Sequence, residues 1–76
     1  MITRRDALFE LWCWKRSNTG SFTCMLFDLI CKADHFNVER IRRGFPEYIA
    51  AWEEWKFSAN EERFLDDIES LNRIQI

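Results

Sequence analysis

The stretch from Phe22 to Ala33 constrains this chain more than any other. It is long enough for about three helical turns and carries apolar side chains on almost every side, with Asp28 and Lys32 forming one narrow polar stripe. A helix this apolar has to be covered by neighbouring elements. We therefore expect the remaining segments to pack around it.

The chain has 76 residues, the size of one domain, and a domain this small needs a rich core because it buries only roughly 60% of the surface that its unfolded chain exposes. The composition supplies such a core, since 47% of the residues are hydrophobic and 16% are aromatic. Two Gly and one Pro leave little material for long loops. We expect a single helical domain over residues 1–76.

Helix signals mark the ends of the first two segments. Thr3 can cap helix one, with Asp6 three residues on completing the cap, and the helix is expected to end near Arg16. Ser21 can cap helix two, which is expected to run to about residue 34.

The second half of the chain suggests three shorter helices. A third helix is expected over Val38–Arg43, capped by Asn37 and ended by Gly44 in a left-handed conformation. Pro46 suits the first turn of a fourth helix, and Ser58–Glu61 matches a capping box for a fifth. The residues expected to point inward from the fifth helix are Phe64, Leu65, Ile68 and Leu71.

No stretch alternates over strand length, so the predicted fold class is all-α. The predicted architecture is a compact bundle of four to five short helices packed around a central apolar helix at about residues 22–34.

Hydropathy and cysteine usage limit where the chain can act. No apolar run approaches the roughly 18 residues that a membrane span requires, and the amino-terminal residues lack the apolar core of a signal peptide. Three Cys, an odd number, indicate reduced thiols rather than a disulfide framework. These features predict a cytoplasmic protein without a membrane partner, and we expect the thiols to be buried and unreactive.

A series of short motifs runs through the middle of the chain. In order they are Ser21-Phe22, Leu26–Ile30, Lys32-Ala33-Asp34, Asn37, Gly44–Glu47 and Ala51–Trp55. The pattern covers residues 21–55 and resembles small all-helical proteins encoded by tailed bacteriophages and prophages. The resemblance implies a phage origin and a bacterial host cytoplasm, and it brings no activity with it. Small phage proteins without catalytic machinery often bind and modulate a host or phage macromolecule, including defence systems such as CRISPR complexes.

The spacing most typical of a metal site is that of Cys31 and His35, four residues apart with Asp34 beside them. A closed zinc site needs four ligands, and Cys13 or Cys24 would have to come from elsewhere in the fold. Buried thiols and a linker histidine are the simpler interpretation, so we predict no metal and no cofactor. An apolar environment raises a thiol pKa, which disfavours Cys31 as a nucleophile, and we predict no enzymatic activity.

Asp28 lies in the middle of the apolar helix. We expect it to reach solvent or an arginine such as Arg40 or Arg42, because unpaired buried carboxylates are rare. A functional role for Asp28 stays open as the alternative.

The net charge of −2 hides an asymmetry between the two halves of the chain. Residues 1–45 hold eight basic and five acidic groups, whereas residues 46–76 hold three basic and eight acidic groups. We therefore expect a basic face and an acidic face. The predicted basic face comprises Arg4, Arg5, Arg40, Arg42 and Arg43. The predicted acidic face comprises Glu53, Glu54, Glu62, Asp66 and Glu69.

Either face suggests a partner. The basic face suits phosphates, and helices two and three follow the order of a helix-turn-helix, but a pI near 5.3 disfavours strong DNA affinity. The acidic face suits a basic groove on a host protein, where it would compete with nucleic acid.

The chain has twelve aromatic residues, counted as four Trp, seven Phe and one Tyr, which exceeds what a core this small needs. We expect some at the surface as interface anchors, with a Trp-rich core as the alternative. The candidates are Trp14, Tyr48, Trp52, Trp55 and Phe57. The sequence thus predicts a non-enzymatic protein that binds a protein partner in the host or phage, or a second copy of itself. The alternative is a small nucleic-acid-binding regulator that uses the basic face.

Overall fold

The computed structural model describes the backbone of residues 2–74 and the side chains of residues 2–71, and this range contains five helices and no strand. The helices are α1 (Arg4–Arg16), α2 (Phe22–Lys32), α3 (His35–Gly44), α4 (Pro46–Lys56) and α5 (Glu61–Ile74). The predicted all-α fold class is therefore confirmed. None of the described helices is both long and apolar enough to cross a bilayer.

The first two caps are as predicted. The Thr3 hydroxyl accepts a hydrogen bond from the Asp6 amide at 3.1 Å, and the Asp6 carboxylate accepts one from the Thr3 amide at 3.1 Å. The amide that donates to Asp6 lowers the pKa of this carboxyl group. Ser21 caps α2 by accepting from the Cys24 amide at 3.3 Å, and Pro46 occupies the first turn of α4.

The predicted boundaries of α3 are wrong at both ends. Its cap is Asp34, whose carboxylate accepts from the Asn37 amide at 2.8 Å, so the helix begins at His35 instead of Val38. Gly44 lies inside the helix and does not adopt the expected left-handed conformation. Among the described glycines only Gly20, in the turn before α2, has a positive φ, of 77°.

The cap of α5 also differs from the prediction. The Asn60 side chain accepts from the Arg63 amide at 3.0 Å, whereas the Ser58 hydroxyl donates to the Trp55 carbonyl oxygen at 2.6 Å. Ser58 therefore closes the end of α4 and leaves the start of α5 to Asn60. Leu71, expected to point inward, is 48% exposed.

The centre of the bundle is the pair α1 and α4. Helix α1 packs against α2, α4 and α5, and α4 packs against all four other helices. The buried side chains of the core are Ala7, Leu8, Leu11, Trp14, Cys24, Leu26, Phe27, Ile30, Tyr48, Ile49, Ala51, Trp55, Leu65 and Ile68. Helix α3 adds no fully buried residue and packs through the partly buried Val38 and Ile41.

The central position predicted for residues 22–34 is therefore wrong in one respect. Helix α2 buries one side, with Phe27 and Ile30 almost inaccessible to solvent, but it leaves the opposite side open. Among the described helices, α2 packs mainly against α1 and α4, and two neighbours cannot enclose a whole helix.

Candidate functional site

Three apolar side chains of α2 lie together on its outer side. Phe22 is 66% exposed, Met25 is 63% exposed and Leu29 is 54% exposed. Their spacing of three and four residues places them on one face of the helix. We call these three residues the α2 face, and with the edge of Leu26 they line a shallow, almost wholly apolar depression.

The opposite side of α2 holds this face in place. The Phe27 ring stacks on Trp14 of α1 at 5.2 Å between centroids and meets the edge of Tyr48 of α4 at 5.8 Å. Ile30 is 1% exposed. Because α2 is anchored on α1 and α4, the α2 face is presented by a packed helix rather than by a loop.

Asp28 joins α2 to α1 through a hydrogen bond. Its carboxylate accepts a hydrogen bond from the indole nitrogen of Trp14 at 2.9 Å. Asp28 is exposed, as one of the two expectations had it, but the expected arginine partner is wrong, because the bond joins α1 to α2. It satisfies the N–H of a nearly buried Trp and keeps the face turned outward.

A cleft continues the α2 face toward α3. Its apolar residues are Leu29, Ala33 and Ile41, and its polar lining consists of Lys32, Asn37 and Arg40. The volume is about 250 Å³. Small-molecule sites usually measure roughly 300–1,000 Å³, so this cleft suits one or two side chains of a larger partner better than a whole small ligand.

Three of the five predicted aromatic anchors are core residues. Trp14, Tyr48 and Trp55 are buried, which overturns their assignment to an interface. Trp14 meets Trp55 edge to face at 5.7 Å, and Lys15 lies over both indole rings. These aromatic side chains pack between helices. For these three residues the alternative prediction of a Trp-rich core describes the structure.

Tyr48 also makes a polar contact within this core. Its hydroxyl donates to the Glu10 carboxylate at 2.6 Å. Burial and this hydrogen bond raise the pKa of Tyr48 well above its ordinary value.

The other two predicted anchors differ from each other. Trp52 is half-buried, and its indole nitrogen is buried without a hydrogen-bond partner among the described residues. Phe57 is 78% exposed at the end of α4. Phe57 thus remains accessible, but its exposed large apolar side chain is separate from the α2 face.

The predicted acidic and basic faces pair with each other across helices. Arg4 of α1 donates to the Glu54 carboxylate of α4 through Nε at 3.0 Å and also through a terminal nitrogen. Arg16 of α1 meets Glu62 at 3.1 Å and Asp66 at 2.9 Å, both on α5. The expectation of two separate faces is therefore wrong for Arg4, Glu54, Glu62 and Asp66, because these charges pair between neighbouring helices.

Helix α3 shows the same behaviour. Arg42 bridges Glu53 of α4, with both terminal nitrogens at 2.9 Å, and Glu39 of its own helix at 3.1 Å. These bonds lower the pKa of Glu53 and raise that of Arg42. Arg42 therefore links α3 to α4.

The remaining members of the two predicted faces have other environments. Arg5 donates to the Leu71 carbonyl oxygen at 3.1 Å, and Glu69 lies half-buried on α5. Arg40 and Arg43 are exposed on α3, and neither has a carboxylate within 4 Å among the described side chains. Of these two arginines, Arg40 lines the cleft.

The spacing of Cys31 and His35 does not produce a shared helical face. Helix α2 ends at Lys32, and Ala33 has an extended ψ of 140°, so His35 begins a new helix. Within the described range, no group of three or more His, Cys, Asp or Glu side chains is placed to hold a metal ion. Cys31 is exposed, which overturns its expected burial, whereas Cys24 is buried.

Comparison of the chain with protein-family models, with curated proteins and with solved structures finds no match. The described residues define a small all-α domain in which α2 presents an open apolar face.

Sequence reasoning missed the α2 face because Phe22, Met25 and Leu29 are as apolar as the residues on the buried side. The spacing of the polar residues does indicate the exposed side. Asp28 and Lys32 each lie three residues after a member of the α2 face, so the polar stripe runs beside this face.

Proposed function

We propose that the protein is a non-enzymatic, phage-type binding protein that engages a protein partner of host or phage through the α2 face. The observation that carries the proposal is the exposure of Phe22, Met25 and Leu29 on one side of a helix whose other side is buried. Large apolar side chains that are exposed together on one surface often mark an interaction site.

The core is complete without these side chains. The buried cluster draws on α1, α2, α4 and α5, and none of the three belongs to it. Burial in the folded domain therefore does not account for their apolar character. Association with a partner accounts for it, because a partner that covers these side chains removes apolar surface from water, which gains roughly 25 cal/mol of free energy per Å².

The phage setting has a different support, namely the motif resemblance over residues 21–55. We propose on that ground that the protein acts in the bacterial cytoplasm and modulates a host or phage macromolecule, for example a defence complex such as CRISPR. Phe22 and Leu29 both lie within the motifs that carry the resemblance, so the motifs include part of the α2 face.

The nucleic-acid alternative has weaker support. Arg4 and Arg42 of the predicted basic face already contact carboxylates, and phosphates would have to displace these contacts. A phosphate backbone offers no apolar surface to cover the α2 face. A protein partner can cover this face without displacing the carboxylates from Arg4 and Arg42.

The experiment is site-specific photo-crosslinking in bacterial cells with the intact protein. A photoreactive amino acid is placed at Met25, and the control carries it at Phe57, which is also exposed but lies outside the α2 face. We expect a discrete protein adduct from position 25, its loss when Leu29→Asp is added, and no such adduct from position 57. Equal adducts from both positions, or none from position 25, would contradict the proposal.

A further inference from the structure

The geometry points to an acidic amphipathic helix of a partner protein as the occupant of the α2 face and the adjoining cleft. This inference rests on the proposed function and adds the chemistry of the partner. Three observations support it: the length of the apolar strip, the continuity of the strip with the cleft, and the charge around the cleft.

The α2 face forms an apolar strip whose length suits the binding of a second helix. From Phe22 to Leu29 the axis of α2 advances about 10 Å, at 1.5 Å per residue, which matches about two turns of a second helix. Helices that dock in grooves present apolar anchors at spacings of three, four and seven residues. The spacing within the α2 face is the same, so two such helices can interdigitate along it.

The cleft gives the partner an anchor point at one end of the strip. Leu29 belongs both to the α2 face and to the cleft, and Ala33 and Ile41 continue the apolar lining across to α3. An apolar side chain of the partner that enters here would be enclosed by two helices instead of lying on one. Such enclosed side chains contribute most of the energy in typical interfaces.

The polar border of the cleft selects for acidic partners. Lys32 and Arg40 line the cleft, and Arg43 follows Arg40 on the same helix by three residues. Among the described side chains no carboxylate lies within 4 Å of these three cations, although Arg4 is paired with one carboxylate and Arg16 and Arg42 with two each. Carboxylates on the partner beside its apolar anchors would therefore find cations that no described carboxylate neutralises.

The acidic groups nearest the cleft have partners other than these three cations. Asp28 accepts a hydrogen bond from the indole N–H of Trp14, and Asp34 accepts one from the Asn37 amide as the cap of α3. Glu39 contacts Arg42. A basic partner helix would meet Lys32 and Arg40 with like charge, which is unfavourable at an interface.

The test is a display selection with the intact protein as bait and random helix-forming peptides of 16 residues as the probe. Three further baits are used in parallel. Arg40→Glu combined with Lys32→Glu reverses the charge of the border, Leu29→Asp disrupts the apolar strip, and Phe57→Ser is the control for an exposed apolar residue elsewhere. Each bait is first checked for cooperative thermal unfolding, and sedimentation equilibrium measures self-association of the wild type.

We expect the wild type and Phe57→Ser to enrich the same peptides, with apolar residues at helical spacing and a net negative charge. The charge-reversed bait should lose at least tenfold enrichment of those peptides and select neutral or basic ones. Leu29→Asp should enrich none of them.

The contradicting outcomes distinguish a failure of the acidic partner helix from a failure of the proposed function. Apolar peptides that are enriched without regard to charge, and that still depend on Leu29, would overturn the acidic partner and leave the proposed function standing. A wild type that dimerises through Leu29 and enriches no peptide would identify a second copy as the occupant. Enrichment by none of the baits, with a monomeric wild type, would overturn both the inference and the proposed function.

Discussion

Asp28 and Trp14 show how one polar contact can orient a whole helix. The indole N–H of Trp14 has its acceptor 2.9 Å away on Asp28, while the same ring stacks on Phe27. A carboxylate in the most apolar segment is thus explained by a donor on a neighbouring helix. Sequence alone could place Asp28 on a polar stripe, but it could not identify an indole fourteen residues away as its partner.

The three thiols differ at the residue scale, and this gives a direct prediction. Cys31 is exposed, Cys13 is half-buried and Cys24 is 1% exposed. Burial raises the pKa of Cys13, and a hydrogen bond with Ser21 lowers the pKa of Cys24, but reagents cannot reach a covered Cys24.

We expect iodoacetamide at pH 8 to modify Cys31 of the folded protein first, Cys13 at least tenfold more slowly, and Cys24 only after denaturation. Peptide mass spectrometry at timed intervals measures the three rates. Rapid native modification of Cys24 would show that the start of α2 is not packed as described.

At the scale of the elements, the sequence predicts those helix starts that depend on interactions within one turn. Thr3, Ser21 and Pro46 act within one helical turn of their own positions, and all three begin helices as expected. Asn37 and Ser58 were equally good caps locally, but Asp34 and Asn60 took those roles. The choice between neighbouring caps depends on where the adjoining helices pack, which short-range patterns do not contain.

The choice of buried side depends on packing in the same way. The side chains of Ile30 and Leu29 are isomers of similar hydrophobicity. Which of the two is buried depends on where α1 and α4 pack against α2. The candidate site therefore escaped sequence reasoning, although the identity of α2 as a helix did not.

The link between α3 and α4 gives a prediction for pH dependence. Because Arg42 lowers the pKa of Glu53, the folded carboxyl group binds fewer protons than the unfolded one. Its contribution is complete above the unfolded value of about 4.3 and is lost as the pH falls through the lower folded value. Both side chains are more than a third exposed, so solvent screens the pair.

We expect Arg42→Gln to lower the free energy of unfolding at pH 7 by about 1 kcal/mol or less. The difference from wild type should shrink between pH 5 and pH 3, as urea unfolding at each pH would show. Arg43→Gln is the control, because Arg43 is exposed and has no carboxylate within 4 Å among the described residues. A difference that stayed constant down to pH 3 would mean that Arg42 acts through packing and not through Glu53.

At the scale of the whole molecule, charge and apolar surface have separate roles. Arginine–carboxylate pairs join α1 to α4, α1 to α5 and α3 to α4, so most of the predicted charged faces are internal links of the bundle. The apolar surplus noted in the sequence is real, but it lies on the α2 face and on exposed side chains such as Phe36 and Phe57 rather than on the Trp side chains. A bundle held in this way can present one apolar helix face without depending on it for stability.

The measurement that tests this account most directly is the thermal unfolding of Leu29→Asp beside Ile30→Asp. The two residues are adjacent in α2, yet Leu29 is 54% exposed and Ile30 is 1% exposed. We predict that Leu29→Asp unfolds cooperatively within about 5 °C of wild type, a shift equivalent to about 1 kcal/mol in a domain of this size. Ile30→Asp should not fold, because its carboxylate would be buried without a partner. Similar loss of structure in both variants would contradict the account, since α2 would then have no face free for a partner.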